Sequence, residues 1–188
     1  GCDRACSFCA VPLIRGPQRS LSKEFLVREA QALAAQGVRE LNIIAQDLTR
    51  WGLDRDEKPS LADLLQELSE IGGITWIRLL YLYPGFVTPD LIEAMSGVQK
   101  VVPYVDIPVQ HFADPVLRAM RRGYGEREVM QTIEALRKAL PEIFLRTTLL
   151  TGHPGETDES FSHLLKRVEE LSFDHLGVFP YSPEEGTH

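Results

Sequence analysis

The sequence predicts an α/β fold built on a parallel sheet, and three features carry that expectation. Five short, β-branched runs recur along the chain, amphipathic stretches with helix start and stop signals separate them, and the runs are apolar at nearly every residue. β-then-α units in succession imply parallel strands joined by right-handed crossovers. Near-continuous apolar strands are expected where helices cover one face of the sheet and the other face is filled. Two architectures satisfy these conditions, an open doubly wound sheet and a full or partial β/α barrel, and periodicity does not separate them. Both place a ligand site at the carboxyl ends of the strands.

The elements follow in order. Phe25, Leu26, Ala30, Leu33 and Ala34 keep a helical period, and Gly37 stands where a C-terminal glycine belongs. The first strand is expected in "RELNIIAQ" (39–46). Ser60 then caps "LADLLQELSEI", with Asp63 three residues on, close to a capping box. "WIRLLYLY" (76–83) is the second strand, and Thr88-Pro89 opens the next helix with a cap residue ahead of a first-position proline. "VVPYVDIPV" (101–109) is the third strand, followed by a second such pair, Asp114-Pro115. After "IFLRTTLLT" (143–151), Thr157 opens a helix whose Phe161, Leu164, Leu165 and Val168 share one face, and "HLGVFPYS" (175–182) closes the series. Polar residues gather where these strands end: Gln46 and Asp47, Tyr83, Gln110 and His111, Thr147, Thr148 and the turn "TGHPGE", and Tyr181. A parallel sheet would bring them to one rim.

Composition narrows the class. A chain of 188 residues with 44% hydrophobic content can bury a core without staples, and 25% charged residues without a low-complexity tract excludes disorder. There is no apolar run of about 18 residues, the minimum for a membrane-spanning helix. The formal charge of −7 argues against a nucleic-acid-binding surface and suits a basic protein partner. Arg118, Arg121, Arg122 and Arg127 form a local basic cluster that reads as a solvated helix face.

The chemistry concentrates in "GCDRACSFC", which holds all three cysteines, Cys2, Cys6 and Cys9, in a C-x3-C-x2-C spacing. An odd, clustered set in an enzyme-sized chain reads as metal binding in a reducing compartment rather than as disulfides. Three thiolates can meet three corners of a 4Fe–4S cluster and leave one iron open to an external ligand, whereas electron-carrying clusters use four cysteines. Zinc with three cysteines plus histidine or water competes, although the first histidine in the chain is His111. Arg146 lies inside a strand and needs a carboxylate, either a ligand's or that of Asp106 or Glu156. His111 is suited to a ligand or to a hydrogen bond in the core. Gly152, Pro154 and Gly155 bend the chain after the strand of Arg146 and permit close backbone approach to a ligand.

The cysteine spacing, with Phe8 before the last cysteine, resembles the signature of radical S-adenosylmethionine (SAM) enzymes. Further segments from residue 1 to 187, among them "GVRELNIIAQDLTRWG", "VVPYVDIPVQH", "LRTTLLTGHPGETDESF" and "GVFPYSPEEGT", resemble the methylthiotransferases of that superfamily. "QDLTRWG" and "YSPEEGT" are more similar to the branch acting on a ribosomal protein than to the branch acting on tRNA adenosine, which tends to carry "GQN" at Ala45-Gln46-Asp47. The resemblance implies an α/β fold of the partial (β/α) barrel type, with residues 1–188 forming a radical SAM core whose first strand lies ahead of Gly1. It implies an N-terminal domain carrying a second 4Fe–4S cluster and a C-terminal β-rich domain, neither of which is in this sequence. It also implies a transferase that places a methylthio group on the β-carbon of an aspartate in protein twelve of the small ribosomal subunit. Such an enzyme uses a 5′-deoxyadenosyl radical, works in the cytoplasm, draws on a reducing electron donor and contacts neither membrane nor nucleic acid through this fragment. Transferred to this sequence, the cluster ligands are Cys2, Cys6 and Cys9, and SAM lies against Phe8, Gln46, Asp47, Tyr83, His111, Arg146, Gly152 and Gly155. The departure is His153, where the family carries phenylalanine or tyrosine. Outside the enzymes, a non-catalytic Fe–S or zinc module fits the same cysteines.

Overall fold

The computed structural model describes residues 1–187. Its centre is a single parallel sheet of β1 (Glu40–Ile43), β2 (Trp76–Leu79), β3 (Val101–Asp106), β4 (Phe144–Thr151) and β5 (His175–Pro180), arranged in chain order. Each strand therefore pairs with its sequence neighbours, and the order never reverses. A doubly wound sheet needs such a reversal to place helices on both faces, so strands in simple succession with right-handed crossovers put every helix on one face. The result is an open β/α barrel segment, which decides between the two expected architectures.

The helices are α1 (Val11–Arg15), α2 (Lys23–Ala35), α3 (Leu61–Ser69), α4 (Pro89–Gly97), α5 (Asp114–Ala119), α6 (Glu126–Ala139) and α7 (Asp158–Leu171). Ser60, Thr88 and Thr157 each accept a backbone N–H from the third residue on, as their positions predict. α2 ends in a Schellman turn: Gly37 sits at φ 90°, and the N–H of Val38 returns to the carbonyl of Leu33. Asp114 differs from expectation. It lies inside the first turn of α5, behind Ala113, and its carboxylate accepts the N–H of Glu126 at 2.8 Å. α6 is not among the expected helices, because its start is marked only by Gly125, whose N–H is accepted by the Glu128 carboxylate at 2.9 Å.

Alternate strand residues face the helices. Ile77, Leu79, Val105, Leu145 and Leu149 pack against Leu64, Leu65 and Leu68 of α3, Met95 of α4, Val129, Ile133 and Leu136 of α6, and Leu164 of α7. On α7 the buried stripe is Leu164 and Leu171, while Phe161 and Leu165 turn outward. The opposite sheet face carries Arg78, Tyr104, Asp106 and Arg146, so it is polar rather than filled. The first three strands end earlier than their apolar runs, because Leu82, Ile107 and Val109 are buried in the rim loops without being part of a strand.

Leu65 is completely buried between sheet and helices. Leu65→Ala should lower stability by about 2–5 kcal/mol, read as a reduced urea midpoint with unchanged slope. Leu13→Ala on exposed α1 should stay within about 0.5 kcal/mol.

Candidate functional site

The cysteine loop, residues 2–9, lies across the carboxyl rim of the sheet and is tied down by hydrogen bonds to backbone. The N–H of Cys2 donates to Gly16, that of Ser7 donates to Met120 at the end of α5, and that of Cys9 closes back onto Cys6. The Ser7 hydroxyl also shares a hydrogen bond with Nε2 of His153 at 2.9 Å, while Nδ1 of the ring is held by the Pro154 carbonyl at 2.9 Å. Histidine at this position thus supplies a link from the cysteine loop to the "TGHPGE" turn that phenylalanine would not make.

All three cysteines line one cavity of 140 Å³, together with Arg4, Phe8, Gln46, Tyr81, Tyr83, Gln110 and Arg122. A larger, mostly apolar cavity of 480 Å³ lies between α2 and β1 and contains no cysteine. The chemistry belongs to the smaller one. Its lining contains two guanidinium groups and no carboxylate. Tyr81 and Gln110 enter it with left-handed backbone, φ 60° and 68°, two residues beyond β2 and four beyond β3. Such conformations in residues other than glycine are held only where the surroundings impose them, and they gather at functional sites.

Both guanidinium groups reach the Tyr83 ring, Arg4 at 3.9 Å and Arg122 at 4.3 Å from its centroid. Arg4 also pairs through Nε with Asp47 at 2.7 Å, and its buried Nη2 has no partner among the described residues. The backbone N–H of Arg4 donates to Cys2 Sγ at 3.4 Å. Arg122 donates from Nη1 to Cys6 Sγ at 3.1 Å, from Nη2 to the Pro108 carbonyl at 2.9 Å and from Nε to the Tyr124 hydroxyl at 2.8 Å. Burial pushes the Tyr83 hydroxyl up and that of Tyr124 up to about 12, so both stay protonated. Burial also pushes the Cys2 thiol up, with Asp47 and the other two cysteines adding to the effect of desolvation. A thiolate at Cys2 therefore needs cationic compensation, which metal binding supplies.

Among the described residues, no three His, Cys, Asp or Glu side chains come together around a single ion. The three thiols instead line a shared cavity with two cations and an orphaned guanidinium donor, a set suited to an anionic cluster larger than one ion. A three-cysteine 4Fe–4S group fits that lining.

The remaining predicted residues divide. Phe8, Gln46 and Tyr83 line the cavity. Phe8 packs with Ala113, Val116, Met120, Leu150 and Tyr181 and meets His153 edge-on. Asp47 is buried behind Arg4, and its second oxygen accepts the Thr49 hydroxyl, so its carboxylate is engaged within the protein. Arg146 pairs with Asp106 at 2.5 Å and remains about 34% exposed on the open sheet face. His111 is wholly buried: its Nδ1 accepts the N–H of Ala113 at 2.9 Å, and its Nε2–H faces Glu156 at 3.2 Å. The other Glu156 oxygen accepts the N–H of Gly152. His111 thereby shapes the turn containing Gly152 and Gly155, which sit at φ 76° and 96°. Sequence reasoning missed Arg4 and placed Arg122 on a solvated face. Arg122 is in fact buried, while Arg118, Arg121 and Arg127 are exposed.

Comparison with known proteins reaches the same loop. The radical SAM superfamily model matches residues 1–168. The ribosomal protein uS12 methylthiotransferase RimO of Flavobacterium johnsoniae is 50% identical over 188 residues, covering all of this chain and 43% of its own length. RimO of Aquifex aeolicus is also 50% identical over 188 residues, with 44% of its length covered, and that of Pelobacter propionicus is 49% identical over 187 residues, with 42% covered. The chain thus spans less than half the length of these relatives. Among solved structures, the radical SAM methyltransferase TsrM from Kitasatospora setae superposes with a TM-score of 0.75 at 18% identity, over 96% of this chain and 35% of that one. Coproporphyrinogen III oxidase (HemN) from Escherichia coli gives 0.64 at 22% identity, over 96% and 42%.

The buried His111 yields a pH prediction. Burial, outweighing Glu156, lowers its pKa below the usual 6.5, so the unfolded chain takes up a proton more readily than the native one. Stability should fall as pH drops below 6.5. Urea midpoints of His111→Gln, measured across that range, should decline less steeply than those of the unsubstituted protein.

Proposed function

Since this chain belongs to the radical SAM superfamily, we propose that it is the radical-generating core of a methylthiotransferase that modifies ribosomal protein uS12. The observation that carries this reading is identity of about half over every residue to uS12 methylthiotransferases, cysteine loop included. A 4Fe–4S cluster held by Cys2, Cys6 and Cys9 in this cavity, together with SAM, would supply radical chemistry on one-electron reduction. The β-hydrogen of an aspartate is too weakly acidic for any side-chain base, which is why a radical route suits this substrate.

The chain's own residues bind and orient. Cys2, Cys6 and Cys9 hold the cluster, and Arg4 and Arg122 offset its negative charge. Phe8 offers its ring and backbone to the adenine, and Gln46 offers an amide at the rim. Asp47 acts through Arg4, which it holds in place. Arg146, paired on one side with Asp106, keeps guanidinium surface on the open face for the SAM carboxylate. His111 and Glu156 fix the glycine turn that lets backbone approach the cofactor. The reading places sulfur delivery on a second cluster in a flanking N-terminal domain and substrate contact on a C-terminal domain. Its remaining partners are a low-potential electron donor and, fitting the acidic balance of −7, a basic ribosomal protein in the cytoplasm.

The test is anaerobic reconstitution with iron and sulfide, followed by dithionite and SAM. 5′-Deoxyadenosine should form, and Cys6→Ala should abolish it. With the full-length protein, uS12 should gain the mass of a methylthio group while tRNA offered in parallel gains none. An iron-loaded chain that leaves SAM intact would overturn the proposal.

A further inference from the structure

Arg122 is a buried cation without a counter-carboxylate. Of the other buried charged side chains, Asp47 faces Arg4 and Asp106 faces Arg146, whereas no Asp or Glu among the described residues lies within bridging distance of Arg122. An isolated guanidinium taken out of water is costly unless something anionic stands opposite it. Its neighbours do not qualify: the Pro108 carbonyl is neutral, and the Tyr83 and Tyr124 hydroxyls stay protonated. The one group in contact that can carry a full negative charge is the Cys6 sulfur, 3.1 Å from Nη1.

The local fold explains how an arginine comes to be held there. α5 ends in a Schellman turn, with Arg121 at φ 55°, its N–H on the Arg118 carbonyl and the N–H of Arg122 on the Leu117 carbonyl. That turn sends Arg121 outward and Arg122 under the cysteine loop, whose Ser7 N–H docks on Met120 of the same helix end. The fork is then fixed at all three nitrogens, Nε on Tyr124, Nη1 on Cys6 and Nη2 on Pro108. It cannot swing away without breaking all three bonds.

We propose that Arg122 is a positioning residue that sets the reduction potential of the cysteine-held cluster, by presenting a fixed, charged N–H to the Cys6 sulfur. The cluster takes one electron from a low-potential donor, no bond forms or breaks at Arg122, and the negative charge gained at the sulfur is stabilised by the guanidinium. Hydrogen bonds to cluster sulfurs and local charge are established levers on such potentials. Lysine keeps the charge but cannot bridge three partners, so Arg122→Lys and Arg122→Gln separate charge from packing.

The inference rests on reading Cys2, Cys6 and Cys9 as cluster ligands. Reconstituted protein and both variants are assayed for iron per chain and then titrated electrochemically with EPR detection, without SAM. In Arg122→Gln the reduced-to-oxidised ratio at a fixed potential should fall about tenfold, a negative shift of about 59 mV for a one-electron couple, and Arg122→Lys should recover at least half of it. Iron lost from the Gln variant but kept by the Lys variant would equally support a charge role. Iron lost alike from both, or an iron-replete Gln variant titrating with the unsubstituted protein, would overturn the inference alone. Unsubstituted protein that takes up no iron would overturn the cluster reading together with it.

Discussion

The site depends on holding three thiols of one loop around a rim cavity whose lining contains no carboxylate. Two guanidinium groups do this, one from within the loop and one from the end of α5, and both engage the ring of Tyr83. The loop is irregular, so its backbone groups must find partners individually, which they do on Gly16 and Met120. A chain whose formal charge is −7 thus concentrates positive potential at the one place where three thiols converge. Asp47 serves the same end from behind, since an unpaired Arg4 in that position would repel its neighbour across the ring.

The sheet converts sequence order into convergence. With strands in chain order, each strand end contributes its next residues to a common rim, and β2 and β3 stop short enough for Tyr81 and Gln110 to turn left-handed into the cavity. Gln110 remains attached to the sheet through backbone bonds with Thr148 and Leu150. The rim is therefore set by the same ladder that builds the core, and an error in strand register would displace the cavity lining as well.

Much of this was legible in the sequence because it depends on local chemistry. Strand and helix periods, cap residues and the cysteine spacing are short-range signals, and the structure places five strands and the helices capped by Ser60, Thr88 and Thr157 where those signals put them, with Asp114 one residue inside its helix. Lengths were overestimated wherever apolar residues such as Val109 are buried in loops, since hydrophobicity reports burial and not strand geometry. What stayed hidden is long-range. Nothing adjacent to Arg122 distinguishes it from Arg118, Arg121 or Arg127; the distinction arises from one left-handed residue that redirects the chain. Likewise His111 and Asp47 were read at the strand ends and Arg146 inside a strand with Asp106 among its candidate partners, but only the fold reveals that Glu156 and Arg4 partner the first two and that Asp106 is the carboxylate Arg146 meets.

The inner face of the sheet is polar where a closed barrel is apolar. A closed eight-strand barrel fills its interior with layers of branched apolar side chains. Here that face carries Glu40 paired with Arg78, Arg78 against Tyr104, and Asp106 paired with Arg146. The pairs run between neighbouring strands, and the register β3 to β4 sets Asp106 directly beside Arg146. Burial still pushes the Asp106 carboxyl up despite its partner, and its Oδ1 has no donor among the described residues. Charges so incompletely satisfied would be severely destabilising in a packed interior. Asp106 itself is buried, so the fold tolerates it through Arg146, which lies directly beside it and keeps about a third of its side chain exposed.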